Sequence, residues 1–326
     1  DLIVSRGLGD VYKRQMILGY NNPIIDKAAQ KQYSLGNTVS VASPVMIELA
    51  ETLVDTVEIA DWALFGKNGG DSTQLAVMIS RQETGKDKVL KINGGYHGAN
   101  GWMQREGSPG TIDSDSSEVV SIPWNNIEEF DAAISKFENE IACFISSPFH
   151  HPTSEDNVLP KKGYWEHIQK VCNEKNIIII VDDVRTGFRI DLAGSNQAFN
   201  FSPDLVCLGK AIANGYPISA LVGKNYLKEA ANKVYFSGTQ FFNSAPMAAA
   251  IATINELKNI DAISLMQYHG NDLKNKMISM AKSYEIDLKV TGVPSMPYFR
   301  IENVDKELHF KWVDNCLAKG IYMTSY

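Results

Sequence analysis

The sequence predicts an α/β chain: a mainly parallel sheet of the seven-stranded type flanked by helices, followed by part of a small α+β domain. Three observations predict it. Apolar runs of strand length at residues 60–65, 88–92, 141–146 and 177–182 are interleaved with helical patterns, the order expected of a parallel sheet with helices on both faces. The run at 177–181 is Ile and Val without a polar break, as in a strand buried on both sides. At 326 residues the chain also exceeds what one core usually supports, so a large domain and part of a second are expected.

The elements follow in order. Ser43-Pro44 with Glu48 forms a helix start, and the pattern through Val57 is amphipathic. The strand at 60–65 runs into Gly66-Lys67-Asn68-Gly69-Gly70-Asp71-Ser72-Thr73 and then a helix through Arg81. Further strands are read at 88–92, 141–146 and 177–182, with a helix at 164–174 between the last two. Short strands come at 205–208 and 219–222, helices at 245–258 and 261–284, and strands at 288–290 and 297–301. The domain boundary is placed at Asn259-Ile260-Asp261, giving a large domain over 16–259 and a partial small domain over 260–326.

Neither end reads as a natural terminus. Asp10-Val11-Tyr12-Lys13-Arg14-Gln15 matches the translation of a transposon mosaic-end adapter used in sequencing libraries, so residues 1–15 are read as artefact. Gly320-Ile321-Tyr322-Met323 reads as a strand entering the small domain just before the chain stops, so a fragment is expected.

Composition narrows the class. A net charge of −7 argues against nucleic-acid and anionic-membrane surfaces, and no apolar run has transmembrane length. Cys143, Cys172, Cys207 and Cys316 are widely spaced in apolar patterns, which reads as buried free thiols in a reducing cytoplasm.

The chemistry is carried by strand ends, where open α/β sheets place ligand-binding residues. Asp182-Asp183 closes one strand and Lys210 follows another. An amine for a Schiff base and a carboxylate for a ring nitrogen are what pyridoxal phosphate requires. Asp182-Asp183 is equally compatible with Mg²⁺ binding or a helix cap. Strand, glycine turn and helix at 60–81 is the geometry in which backbone N–H groups and a positive helix end receive a phosphate. It is neither a Walker A loop nor GxGxxG, and read in isolation it is also an ordinary turn capped by Asp71. The polar, glycine-rich stretch 98–117 with Trp102 reads as a lid or as a surface loop. His150-His151 on a loop suggests no shared metal, and no metal site is assigned.

Gly69-Gly70, Tyr96-His97-Gly98, Asp182-Asp183-Val184-Arg185-Thr186-Gly187-Phe188-Arg189, Leu208-Gly209-Lys210 and Gly238-Thr239, in that order, resemble the class III aminotransferases of fold type I. The resemblance runs from about Met16 to the end and is strongest to the glutamate-1-semialdehyde 2,1-aminomutase branch. It implies pyridoxal 5′-phosphate on Lys210, with Asp182 keeping the ring nitrogen protonated. Tyr96 and Val184 would flank the ring, and Asn68, Gly69 and Gly70 would form the phosphate turn. His97 belongs to the same cofactor-binding set. Thr239 would reach the phosphate of a neighbouring subunit, which implies a homodimer with a shared site and a small amino compound as substrate.

The chain departs from the family pattern in three places. It has Asn68-Gly69-Gly70 where Ser-Gly-Thr is usual, Ser147-Pro148 where Glu-Pro is usual, and Phe241-Phe242-Asn243-Ser244 where Ser-Gly-Asn-Pro is usual. Loss of the Glu disfavours donor switching, so aminomutase-like chemistry is expected ahead of donor-dependent transamination. The competing classes are a non-catalytic fold homologue and a metal-dependent transferase using Asp182-Asp183, which would need neither Lys210 nor Tyr96.

Overall fold

In the computed structural model, described over residues 16–105, 107–152 and 155–321, a central sheet is assembled from strands far apart in sequence. The strands are β1 (Trp62–Gly66), β2 (Lys88–Ile92), β3 (Val119–Ile122), β4 (Ile141–Ser146), β5 (Ile178–Asp182), β6 (Leu205–Leu208) and β7 (Ser219–Gly223). They lie in the order β1-β7-β6-β5-β4-β2-β3. β7 runs antiparallel to both neighbours and the other pairings are parallel. The ends of β1, β2, β4, β5 and β6 therefore share one edge, joined there by the start of β7 through the Gly66–Ser219 pair.

Burial explains why these segments are strands. Every residue of β4, β5, β6 and β7 is buried, so side chains on both faces meet helices and continuous apolar sequence is required. One face packs with α1 (Pro23–Leu35), α2 (Pro44–Val54) and other helices around Phe144, Ile179 and Val206; the other packs with α3 (Gly69–Thr84) around Val89, Ile145, Ile180 and Cys207.

The remaining helices are α4 (Asp113–Ser116), α5 (Ile127–Lys136), α6 (Tyr164–Lys175), α7 (Lys228–Lys233), α8 (Ser244–Asn259), α9 (Ala262–Ser283) and α10 (Lys306–Ala318). A hairpin of β8 (Leu288–Thr291) and β9 (Tyr298–Ile301) follows α9. It is tied to the loop after β4, where Asn157 N–H donates to Thr291 Oγ1 at 3.0 Å and Asn157 Nδ2 to the Met296 carbonyl at 3.0 Å.

The predicted strands and helices fall within a few residues of the observed ones. α1, α4, β3, α5, α7 and α10 went unread, because short or amphipathic segments with interspersed polar residues carry a weak periodicity. Residues 1–15, read as adapter-derived, lie outside the described residues. Of the strand expected at 320–323, Gly320 lies in a turn and Ile321 in no strand, because the chain there is only leaving α10, and the rest lies outside the described residues. No helix among the described residues is long and apolar enough to cross a membrane.

Candidate active site

The common strand edge collects the residues singled out from the sequence. After β1, the chain turns at Lys67 and Asn68 into α3. Asp71 Oδ2 accepts from the Lys67 and Asn68 N–H groups at 2.8 Å each, which fixes the turn. Gly69 and Gly70 occupy the first two helical positions, whose N–H groups have no partner inside a helix and point along its positive end. Desolvation brings the Lys67 amine down to about 8.

Glycine is sterically required at this turn. A Cβ on Gly69 would lie 2.6 Å from Val184 Cγ1, and one on Gly209 would lie 3.1 Å from the same atom. Val184 thus joins the α3 turn to the residue preceding Lys210. Gly70 packs on Gly98, whose φ of +142° suits glycine.

Lys210 begins a short 3₁₀ turn after β6 and is itself left-handed, with φ of +43°. A side chain in that region costs of order 1–3 kcal/mol, and such strain concentrates at functional sites. Asn214, at the end of this turn, accepts from the Ile17 and Leu18 N–H groups at 2.9 and 2.8 Å. The N-terminal segment is thereby pinned beneath the lysine turn.

Asp182 and Asp183 diverge as strand alternation requires. Asp182 is buried, with Oδ2 2.7 Å from His97 Nδ1 and Oδ1 accepting from the Val184 N–H at 3.2 Å. Because a carboxylate only accepts, His97 donates from Nδ1. Asp183 turns to the opposite side, accepting from Thr186 Oγ1 at 2.5 Å and the Ser195 N–H at 3.1 Å. Burial raises its carboxyl group above the ordinary range. The two carboxylates have separate partners and do not form one chelate.

His97 is held from its backbone as well, since Thr73 Oγ1 donates to its carbonyl at 2.6 Å. That contact escaped the sequence reading, although Thr73 belongs to the polar run after the glycine turn. The ring of Tyr96 is 74 % exposed at the same edge. Thr239 is also exposed, on the loop between α7 and α8.

The stretch expected as a lid is partly anchored. Trp102 Nε1 and Asn100 Nδ2 both donate to Gln74 Oε1 on α3, at 2.6 and 3.0 Å. The buried Lys91 ammonium donates to the carbonyls of Trp102, Met103 and Gln104 at 3.2–3.3 Å. Composition suggested mobility; these long-range ties decide otherwise for 100–104. His150 stacks against Trp124 with centroids 6.2 Å apart, while His151 meets Arg185, whose Nη1 lies 2.5 Å from the His151 carbonyl and 3.2 Å from its Nδ1.

A lysine after β6, a buried Asp–His pair joining β5 to the loop after β2, and a glycine turn after β1 go with the fold of a fold-type-I transferase that uses pyridoxal 5′-phosphate. The chain belongs to the class III aminotransferase family, whose model matches residues 13–326. It is 35 % identical over 311 residues to the aminopentol aminotransferase of Sphingopyxis macrogoltabida, covering 95 % of this chain and 74 % of that protein. It is 29 % identical over 333 residues to the glutamate-1-semialdehyde 2,1-aminomutase of Methanocaldococcus jannaschii, covering 94 % and 78 %. The structure of the FumI protein of Sphingopyxis sp. MTA144, in its PLP internal aldimine form, superposes with a TM-score of 0.93 at 33 % identity over 98 % of this chain and 77 % of that one. The family acts on small amino compounds.

Proposed function

We propose that this chain carries out donor-dependent transamination, moving an amino group from an amino compound to a keto acid. The observation that carries the reading is the buried Asp182–His97 pair at 2.7 Å on the same sheet edge as the strained Lys210 turn. The aminotransferase relative at 35 % identity supports this reading over the aminomutase reaction expected from Ser147.

The residues present fit the cofactor, because the Gly69, Val184 and Gly209 contacts leave a side-chain-free turn at a helix N-terminus. The Asn68–Gly70 turn would hold its phosphate, Lys210 its aldehyde carbon and Asp182 its ring nitrogen. When bound, pyridoxal phosphate supplies an electron sink for charge developing on the substrate carbon. Asp182 would keep a proton on the ring nitrogen, with His97 Nδ1 and the Val184 N–H fixing the orientation of its carboxylate. Val184 and Tyr96 would flank the ring and limit its contact with water. Lys210 Nζ would remove the proton from the substrate carbon and return it, acting as a general base and then a general acid.

A homodimer belongs to the same reading, with the exposed Thr239 loop reaching the partner's phosphate turn, and the free cysteines suit a cytoplasmic setting.

Ser147 favours the aminomutase as second reading, since it follows β4 where a carboxylate would assist donor switching. The two separate in one assay on the complete gene product. Transamination predicts strict dependence on a donor such as glutamate. Stoichiometric conversion of glutamate-1-semialdehyde to 5-aminolevulinate without a donor would overturn it in favour of the mutase.

A further inference from the structure

Lys91, on β2, is a buried cation whose charge ends on backbone carbonyls. Its ammonium donates to the carbonyls of Trp102, Met103 and Gln104 at 3.3, 3.2 and 3.2 Å, so all three N–H donors are taken up by one short turn of the loop after β2. Three acceptors for three donors require the protonated amine, although desolvation lowers its proton affinity. An ammonium held away from water is costly unless its partners are fixed in place. Charge and turn therefore hold each other.

The turn in turn bears on the candidate site. Met103 is buried with its sulfur against Gly98; a Cβ on Gly98 would collide with Met103 Sδ and stand 2.8 Å from Gly70 Cα. Gln104 Nε2 also donates to the Gly98 carbonyl at 3.4 Å. Gly98 is thus enclosed between the 102–104 turn and Gly70, the second helical residue of the glycine turn after β1. It directly follows Tyr96-His97 in the chain. A continuous set of contacts runs from Lys91 through Met103 and Gly98 to Gly70.

We propose that Lys91 is a positioning residue for the cofactor phosphate. By holding 102–104 it keeps Met103 against Gly98 and Gly98 against Gly70, and so fixes the Gly69 and Gly70 N–H groups that receive the anion. The inference rests on the reading that this glycine turn takes the phosphate.

The test uses the full-length enzyme, freed of cofactor and titrated with pyridoxal 5′-phosphate and with pyridoxal, which lacks the phosphate. Binding of each is followed by the change in its visible absorption. The ratio of the two affinities in the parent tests the phosphate-turn reading by itself, and the change of that ratio in a variant tests Lys91. Lys91→Met keeps an unbranched side chain of similar size and removes the charge, leaving the part-buried carbonyls of Trp102 and Gln104 to turn toward water. It is expected to lower the ratio roughly 10- to 100-fold, the loss typical of one charge-assisted contact, with pyridoxal affinity unchanged. Met103→Ala, which withdraws the sulfur from Gly98, should lower the ratio in the same direction. Lys88→Met, on the same strand but paired with Glu118 and Glu140, should leave it as in the parent.

A parent that binds both forms alike overturns the phosphate-turn reading and the proposal with it. A parent that prefers the phosphate, with the same ratio in Lys91→Met, overturns the proposal alone. So does a Lys91→Met variant that weakens both forms equally or only melts lower, because the lysine is then a tie of the fold and no more. A fall in Lys88→Met as large as in Lys91→Met overturns it as a general effect of β2. Should Lys91→Met fail to fold, Met103→Ala decides, and an unchanged ratio there overturns the route through Gly98.

Discussion

His97 Nδ1 lies 2.7 Å from Asp182 Oδ2 in a buried contact that joins the loop after β2 to the end of β5, 85 residues apart. The imidazole occupies one carboxylate oxygen and leaves the other nearer the Val184 N–H, so the orientation of Asp182 is fixed before any ligand arrives. Preorganisation of that kind removes reorganisation from the reaction itself.

Asp182→Asn is expected to lower the transamination rate roughly 100- to 1,000-fold, the range for losing one preorganised electrostatic contact. Asp183→Asn is expected instead to cost about 1–3 kcal/mol of stability, because the new amide would confront the Thr186 hydroxyl and Ser195 N–H donors. Rates and urea midpoints for both variants check this. A rate loss larger in Asp183→Asn, with folding intact, would reverse the assignment.

Borohydride reduction of the complete holoenzyme followed by peptide mapping is expected to place the cofactor on Lys210. Lys210→Ala should abolish the visible absorption band and turnover while leaving the fold intact. A tag on Lys67 or Lys91, whose amines are lowered by desolvation, would defeat the assignment.

Gly69→Ala should destabilise the protein by about 1–3 kcal/mol and weaken cofactor retention, because the new methyl would stand 2.6 Å from Val184 Cγ1. The double variant Gly69→Ala with Val184→Ala should recover part of the stability, since the overlap is removed. Additive losses, measured by a double-mutant cycle, would mean that the turn and Val184 are not in contact.

The cysteines give a pH dependence. Burial pushes the Cys143 thiol up to about 12 and raises Cys172 and Cys207 well above the ordinary range. A folded state that favours the protonated thiol keeps its stability below the unfolded pKa, about 9, and loses it as pH rises above that value, because the unfolded chain releases the proton first. Thiol titration of the native protein at pH 8 should accordingly label Cys316, with the three buried thiols reacting only after denaturation. Stability should fall above pH 9, less steeply in Cys143→Ala.

Much of the site was legible because its parts are local. A lysine after a short apolar strand, an acid pair after an Ile-Val run and a glycine turn before a helix each signal through neighbouring residues. Thr73, holding the His97 carbonyl, had no comparable signal, since a threonine in the first turn of a helix reads as a simple polar position. Trp102 was read as part of a loop because its acceptor, Gln74, lies 28 residues away on α3.

The sequence by itself determined the alternation of strands and helices, the run of buried strands and the placing of Lys210, Asp182 and Gly69 at strand ends, since all follow from side-chain periodicity and backbone sterics. The tertiary structure alone decided the strand order β1-β7-β6-β5-β4-β2-β3, the partners His97 for Asp182 and Thr186 for Asp183, and the contact of Arg185 with His151. These depend on which faces pack together. Hydrophobic burial drives that packing without direction, and the long-range hydrogen bonds that select among packings have no local sequence signature.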